Sequence, residues 1–497
     1  VSTIVAIDLG ASSGRVLRGV FDGKSIEVEE CARFSNGPIR VPDAEGGDYE
    51  WDLLSLWRGI TDGLAEAARR GPVDAIGIDS WAVDYALLDE AGRLLRNPYS
   101  YRSGRTRRVI DEFFEAVDPA ELYEHNGLQF QPFNSMFQIL ADRNDARADR
   151  ACTLLLLPDL LAYWLTGVKV CEVTNASTMG LVDPRTRRWD PWVLEACGDF
   201  TGRNVEALLA PLVEPGEVIG TVNCEGLDLR THSGEATPVI AVGSHDTASA
   251  VVAVPSVDTA NFAFISSGTW SLVGMELNEP VCSPQSCAAN ITNELGVDGT
   301  VRYLKNIMGM WVQQECLRQW REESPEGQWD WGTLDAMTEA EEPFQTVFDI
   351  NDPAFFTPGN MPERIQGWLE ARGRSAPSSV SGVLRAVTES LVVAYREAIA
   401  ELRALSGQAI EVIHIVGGGS KNALLCQLTA DATGLPVVAG PVEGTALGNM
   451  VVQLRAIGAL EGGLDRLRHV VDASTLTRCY RPHAGQDQVW EQVAAGL

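Results

Sequence analysis

Positive charge is scarce in this 497-residue chain. Lys and Arg number 39 against 68 Asp and Glu, a formal net charge of −29. Such a balance disfavours nucleic acid or an anionic membrane surface as a partner. It leaves room for an anionic nucleotide, which needs only a local cradle of backbone amides. Long apolar runs are missing as well. The longest, Leu154 to Leu165, is interrupted by Pro158 and Asp159, so no membrane span is expected. No signal-peptide pattern precedes the first strand pattern. The ten cysteines are scattered, with no Cys-x-x-Cys pair. They are expected to be reduced thiols of a cytoplasmic protein, and none is assigned to a metal or a disulfide. Neither a Walker loop nor a dinucleotide fingerprint occurs, nor does any low-complexity segment or short repeat.

What is present is ordinary globular material, 45% apolar and 22% charged. It is too long for one hydrophobic core, so two large lobes or three to four ordinary domains are expected. The stretch to organise the chain around is Val239 to Ala250. Val239 to Val242 read as a short buried strand, Gly243 and Ser244 punctuate it, and small residues from Ala248 begin a helix. Asp246 therefore sits after a buried strand and before a helix, where open α/β sheets bind ligands. A carboxylate held there suits a general base acting on a hydroxyl. A helix cap at Ser244, Asp246 or Thr247 reads equally well from these residues alone.

Elsewhere the order of elements is informative. Thr3 to Ile7, Val16 to Phe21 and Ile26 to Phe34 read as strands, Trp51 to Arg70 as a helix, and Ala75 to Asp79 as a strand. The loop Asp8 to Arg15 joins strand to strand. Gly10 and Gly14 would let a ligand approach, and the amides of Ala11 to Gly14 with the Ser12 and Ser13 hydroxyls could converge on phosphate. Asp8 could hold a hydrated Mg²⁺. An ordinary hairpin is the alternative. Ala260 to Ile265, Ser266 to Thr269 and Trp270 to Met275 repeat the strand-turn-strand pattern. Lys305 to Trp311 is expected to open a helix running to about Glu323, with Asn306 near its start and Gln314 two turns later. Either side chain could face a ligand or serve as a cap or surface amide. Ile410 to Val416 reads as a strand ending in Gly417-Gly418-Gly419. Three glycines cost backbone entropy, which points to a purine or ribose against bare backbone, or to close strand-to-helix packing.

Seven segments, Asp8 to Arg15, Ile78 to Asp84, Ser244 to Ala250, Ser266 to Leu272, Ala289 to Glu294, Leu304 to Gly309 and His414 to Gly419, carry a family resemblance over nearly the whole chain. The chain resembles the FGGY carbohydrate kinases of the actin-like ATPase superfamily. The resemblance implies a two-lobed α/β fold of the ribonuclease H-like type with its active site in the interdomain cleft. Residues 1–255 would hold the sugar, the first phosphate loop and the base, and residues 256–497 the second phosphate loop and the adenosine. It implies ATP as co-substrate, Mg²⁺, and a ketose acceptor, L-rhamnulose, phosphorylated at its 1-position. L-fuculose or L-xylulose kinase, or a non-catalytic nucleotide- and sugar-binding regulator, are the alternatives. By position, Asp246 matches the proton acceptor. Ala82, His245, Asp246, Thr247 and Asn306 match sugar contacts. Ala11, Ser12, Ser13, Gly14, Arg15, Thr269, Gln314 and Gly418 match ATP contacts, and Asp8 fits a water-mediated metal role. Ala82 stands where a relative carries Gly. A monomer or homodimer in the cytoplasm is expected, with no nucleic-acid or membrane partner.

Overall fold

The computed structural model describes residues 1–42, 46–255, 261–327 and 329–496. The chain divides into two compact units that are not sequential. The first comprises Val1–Val257, Glu276–Tyr303 and Gly444–Ser474, and the second Asp258–Met275, Leu304–Glu443 and Thr475–Leu497. The division expected at residues 255/256 falls against residues 256–260, outside the described residues, as does the expected strand start at Ala260. Two later segments, 276–303 and 444–474, pack with the first unit, which no single sequence boundary anticipates.

The first unit is built on a six-stranded sheet in the order Val218–Thr221, Pro238–Ile240, Ala75–Ser80, Ser2–Leu9, Ser13–Phe21, Ile26–Ser35. Ser2–Leu9 runs parallel to Ala75–Ser80, with Asp8 beside Asp79, and antiparallel to Ser13–Phe21, with Leu9 beside Gly14. Side chains alternate along a strand, so Ile4, Ala6 and Asp8 share one face. That face packs on the helix Gly444–Ala456, through a core that includes Ile4, Ala6, Leu17, Val242, Leu447, Met450 and Val451. The fit is close enough that a Cβ on Gly77 would lie 2.3 Å from Asn449 Oδ1. The helix Leu53–Arg69 covers the other face; it is capped by Asp52, whose side chain accepts from Ser55 N. Its glycines make room for that packing, since a Cβ on Gly59 would strike the Phe34 ring and one on Gly63 would strike Val16. Tyr85–Leu88 leaves the main sheet and pairs with Thr153–Leu156. The hairpin Pro38–Val41 with Asp48–Trp51 carries no alternating apolar signal and is not legible in the sequence.

In the second unit, Phe262–Ser267 lies antiparallel to Ser271–Leu277 and parallel to Val412–Val416. Val437–Ala439 follows in parallel, and Arg478–Tyr480 closes the edge antiparallel. Helices Val380–Ser406, Ala423–Thr433 and Gln486–Ala495 pack together beside it. One expectation is overturned: Lys305 to Ile307 belong to the strand Val301–Ile307, and the helix starts only at Trp311 and ends at Glu323. Val301–Ile307 lies beside Ser271–Leu277 in a sheet, which holds Lys305 to Ile307 extended, and Gly309 after it packs so closely that a Cβ would lie 2.6 Å from Ser271 N. Among the described residues no helix is long and apolar enough to cross a membrane, and all ten cysteines are free thiols.

Candidate active site

In the first unit the loop after Ser2–Leu9 is folded back on itself. Ser13 O accepts from Gly10 N (2.9 Å), Ser12 O from Asn36 N (3.1 Å), and Gly10 O from Asn36 Nδ2 (2.8 Å). The carbonyls are thus turned inward and occupied. No hydrogen bond engages the amides of Ala11 and Ser12 among the described residues. Gly14 is required by space, since its Cβ would lie 2.2 Å from the Phe34 ring. Such a turn can present amides to an anion. Arg15 donates to Asp8 Oδ2.

Asp246 is the first residue of the helix Asp246–Val252, and the cap position belongs to His245, whose side chain makes no cap bond. The capping alternative for Asp246 is therefore set aside. Its carboxylate is 32% exposed, and its two oxygens differ. Oδ1 accepts from Thr247 N (2.6 Å) and Thr247 Oγ1 (3.3 Å), and lies 3.4 Å from His245 Nε2. Oδ2 takes no hydrogen bond among the described residues. Burial pushes this carboxyl up from its usual range and the Asp8 charge adds to that, while the hydrogen bonds from Thr247 oppose it. Asp79, fully buried beside Asp8, is driven further up by burial and then by the Asp8 and Asp246 charges. Its Oδ2 accepts from Asn449 Nδ2 (2.6 Å), and its Oδ1 has no hydrogen-bond partner. Ala82 follows directly: Trp81 N donates to Leu9 O and Ser80 N to Ser244 O. The first unit therefore brings Asp8, the 11–15 loop, Ala82, His245, Asp246 and Thr247 to the ends of adjacent strands.

Ala82 is held by a strained turn. Val83 has φ 67°, a conformation costing a β-branched residue about 1–3 kcal/mol. Asp84 over-determines it: Oδ2 accepts from Trp51 Nε1, Trp81 Nε1 and Tyr101 N, and Oδ1 from Gln138 Nε2. Burial pushes the Asp84 carboxyl up to about 6 in spite of these donors.

In the second unit the turn Gly268 to Trp270 is gripped by the start of the Trp311–Glu323 helix. Met310 N donates to Gly268 O (3.2 Å) and Trp311 N to Thr269 O (3.0 Å). This brings Thr269 Oγ1 to 3.5 Å from Gln314 Oε1. Gln314 lies in the first turn of that helix, and Asn306 lies on the preceding strand, so the two are not two turns apart on one helix as expected. The three glycines have separate reasons. Gly417 has φ 83° and Gly419 would strike Ser267 Oγ at 2.0 Å, so both answer to close packing. A Cβ on Gly418 would meet nothing nearer than Ser267 O at 3.9 Å, so packing does not explain it. Asn306, half-buried on its strand, shares this unit.

Several residues that shape the first group were not singled out by sequence. Glu172 accepts from Thr174 N (2.8 Å), Thr174 Oγ1 (2.6 Å), Asn175 N (3.3 Å), Ser244 N (3.0 Å) and Ser244 Oγ (2.7 Å), which fixes the turn before Asp246. Arg302 and Glu294 stand behind His245. Asp79 and Glu294 fall within quoted motifs; Glu172, Arg302 and Asn449 carry no local signal.

Each unit carries a strand-loop-strand turn, the first adds a carboxylate at a helix start and the second a Gly418 that packing does not explain, parts that a phosphotransferase acting on a hydroxyl can use. Residues 3–253 match the N-terminal domain of the FGGY family of carbohydrate kinases, and residues 263–457 match its C-terminal domain. The chain belongs to this family and is a sugar kinase. It is 42% identical to the rhamnulokinase of Bacteroides thetaiotaomicron, over 96% of this chain and 95% of that protein. It is 40% identical to the rhamnulokinase of Pectobacterium atrosepticum (98% and 94%) and 37% identical to that of Bacillus subtilis (96% and 95%). In fold it is similar to xylulose kinase from Lactobacillus acidophilus, with TM-score 0.78 at 16% identity over 100% of this chain and 96% of that one. Plasmodium falciparum glycerol kinase gives 0.77 at 16% identity over 100% and 97%.

Proposed function

We propose that this chain transfers the γ-phosphoryl group of ATP to the 1-hydroxyl of L-rhamnulose, giving L-rhamnulose 1-phosphate and ADP. The observation that carries the reaction is the asymmetry of Asp246: Oδ1 is engaged by Thr247, while Oδ2 accepts no hydrogen bond among the described residues. The sugar hydroxyl gives its proton to Oδ2 as its oxygen bonds to the γ-phosphorus, and the bond to the β-phosphate oxygen breaks. Full-length relatives that carry the rhamnulokinase name support the choice of ketose.

Phosphoryl transfer asks a protein mainly for positioning and charge stabilisation. The amides of Ala11 to Gly14, with Ser12, Ser13 and Arg15, hold phosphate oxygens. Thr269, Gln314 and Gly418 contact the nucleotide in the second unit. Ala82, His245, Thr247 and Asn306 bind the sugar. Residues 1–255 thus serve the first phosphate loop, the base and the sugar, and residues 256–497 the second phosphate loop and the adenosine, with Asn306 the one sugar contact from that part.

Among the described residues no three His, Cys, Asp or Glu could hold a metal ion by themselves. That donor set still fits Mg²⁺, which keeps several waters and binds through one or two carboxylates and the substrate phosphates. Asp8 is the residue that would hold it, through water, and the ion would neutralise charge on the β and γ oxygens. The test is ADP release across L-rhamnulose, L-fuculose, L-xylulose and D-xylulose at fixed MgATP, with Asp246→Asn alongside. Removal of a general base costs about 10²–10⁴-fold. Turnover on L-rhamnulose that falls by this factor in a folded variant is the expected result. Turnover confined to another ketose would move the substrate, and a near-normal Asp246→Asn rate would refute the base.

A further inference from the structure

Behind the proposed base lies a buried charged group with no assigned role. Arg302 is fully buried. Its Nε and Nη2 donate to Leu295 O at 3.1 Å each, and Nη2 also reaches Thr174 O at 3.3 Å. These three bonds fix the plane of the guanidinium. Nη1 then projects to His245 Nδ1 at 3.0 Å and to Glu294 Oε2 at 3.0 Å. Burial would raise the Glu294 carboxyl, but the Arg302 charge beside it holds it below its usual range. His245 is itself 7% exposed, and its other nitrogen, Nε2, faces Asp246 Oδ1.

The two ring nitrogens of a neutral imidazole have opposite roles, and the partner of one decides the role of the other. Arg302 can only donate. A hydrogen bond from Nη1 therefore requires Nδ1 to be the acceptor. Glu294 Oε2 is 3.2 Å from the same nitrogen, yet it receives no hydrogen bond from it. It lies 3.0 Å from Nη1 as an ion-pair partner and accepts no hydrogen bond from that atom either.

We propose that Arg302, braced by Glu294, is a positioning residue that fixes the His245 proton on Nε2, where it points at Asp246 Oδ1. A donor at that position, with Thr247 N and Oγ1, fully engages Oδ1 and directs the base through Oδ2. The residue acts through His245 and touches neither substrate. This inference rests on Asp246 being the base, but the tautomer can be read without any turnover.

The experiment uses the full chain labelled with ¹⁵N-histidine. Long-range ¹H–¹⁵N spectra of the imidazoles are recorded, and His245 is assigned by the signal lost in His245→Gln. The expected result is a protonated Nε2 and an unprotonated Nδ1. Arg302→Met alone would strand Glu294 in the interior, so the double variant Arg302→Met with Glu294→Gln removes both charges together, and Arg302→Lys is the milder change. In the double variant the proton should redistribute toward Nδ1, with kcat for the ketose lowered about 10–100-fold, the range usual for an outer partner of a site imidazole, and KM for ATP unchanged. Glu294→Gln alone should retain the Nε2 proton, because the backbone carbonyls still hold Arg302. A wild-type spectrum showing Nδ1–H, or both nitrogens protonated, would overturn the proposal even if no Arg302 variant folds. So would a folded double variant that keeps both the tautomer and the wild-type kcat. Failure of Asp246→Asn to lose activity, with the Nε2 tautomer intact, would count against the base and not against Arg302.

Discussion

Gly448 offers a sharp test of how the proposed base is held. It lies in the helix Gly444–Ala456 where that helix packs on Asp246–Val252. A Cβ built on it would stand 1.8 Å from Ser249 O and 2.6 Å from the Ser249 carbonyl carbon. Both are backbone atoms, so no rotamer change relieves the contact. Ordinary contact begins at 3.4 Å, so Gly448→Ala must part the helices by about 1.6 Å, at a cost of about 1–3 kcal/mol. The strained point also reaches the chemistry. Ser249 Oγ donates to Gly243 O at 2.7 Å, and His245 O accepts from Ala248 N and Ser249 N. A shift of Ser249 therefore pulls on both sides of Asp246. Misplacing a reacting group by about 1 Å costs about 10²-fold, so kcat should fall by that order. Urea unfolding followed by tryptophan fluorescence reads the stability, and coupled ADP release reads the rate. Gly463→Ala, where a Cβ meets nothing within 4 Å, is the control and should match wild type in both. A Gly448→Ala protein with wild-type midpoint and kcat would refute the packing argument.

Three further outcomes are expected. Asp84 binds its proton more tightly in the folded chain than in the unfolded one, since burial raises it from 3.8 to about 6. Stability should therefore fall as pH rises from 4 to 6, by up to about 3 kcal/mol, and Asp84→Asn should cancel that part of the slope in urea unfolding at pH 4, 5, 6 and 7; a slope identical in both proteins would count against it. Gly418→Ala should leave the melting temperature unchanged while raising KM for ATP, because its Cβ projects into open space, whereas Gly419→Ala should destabilise through its contact with Ser267; the reverse pattern would place the nucleotide contact elsewhere. Glu172→Gln replaces a five-fold acceptor with a partial donor, so it should cost about 1–3 kcal/mol and reduce kcat by loosening Ser244; a variant with wild-type stability and rate would show that the Ser244 turn holds itself.

Local sequence determined the elements whose patterns are short in range. The β-branched run at Thr3 to Ile7, the spacing of Leu53, Leu56, Ile60 and Leu64, and the glycines at 10 and 14 report periods of two or 3.6 and the demands of a turn, and the described strands and helix lie where they predict. The strand–Gly–Ser–His–Asp–helix order around Asp246 was readable for the same reason. Tertiary structure decided what depends on distant partners. Lys305 to Ile307 were expected to open a helix, and pairing of Val301–Ile307 in the sheet beside Ser271–Leu277 made them strand. The triple glycine admitted two explanations, and contact with Ser267 assigned packing to Gly417 and Gly419 but not to Gly418. Asn449 meets Asp79 across 370 residues and Arg302 meets His245 across 57. No local rule pairs such residues, because their contact exists only once segments 276–303 and 444–474 have packed with the first unit. The sequence thus specified which chemistry was possible; the packing of those late segments decided which side chains stand beside Asp79 and His245.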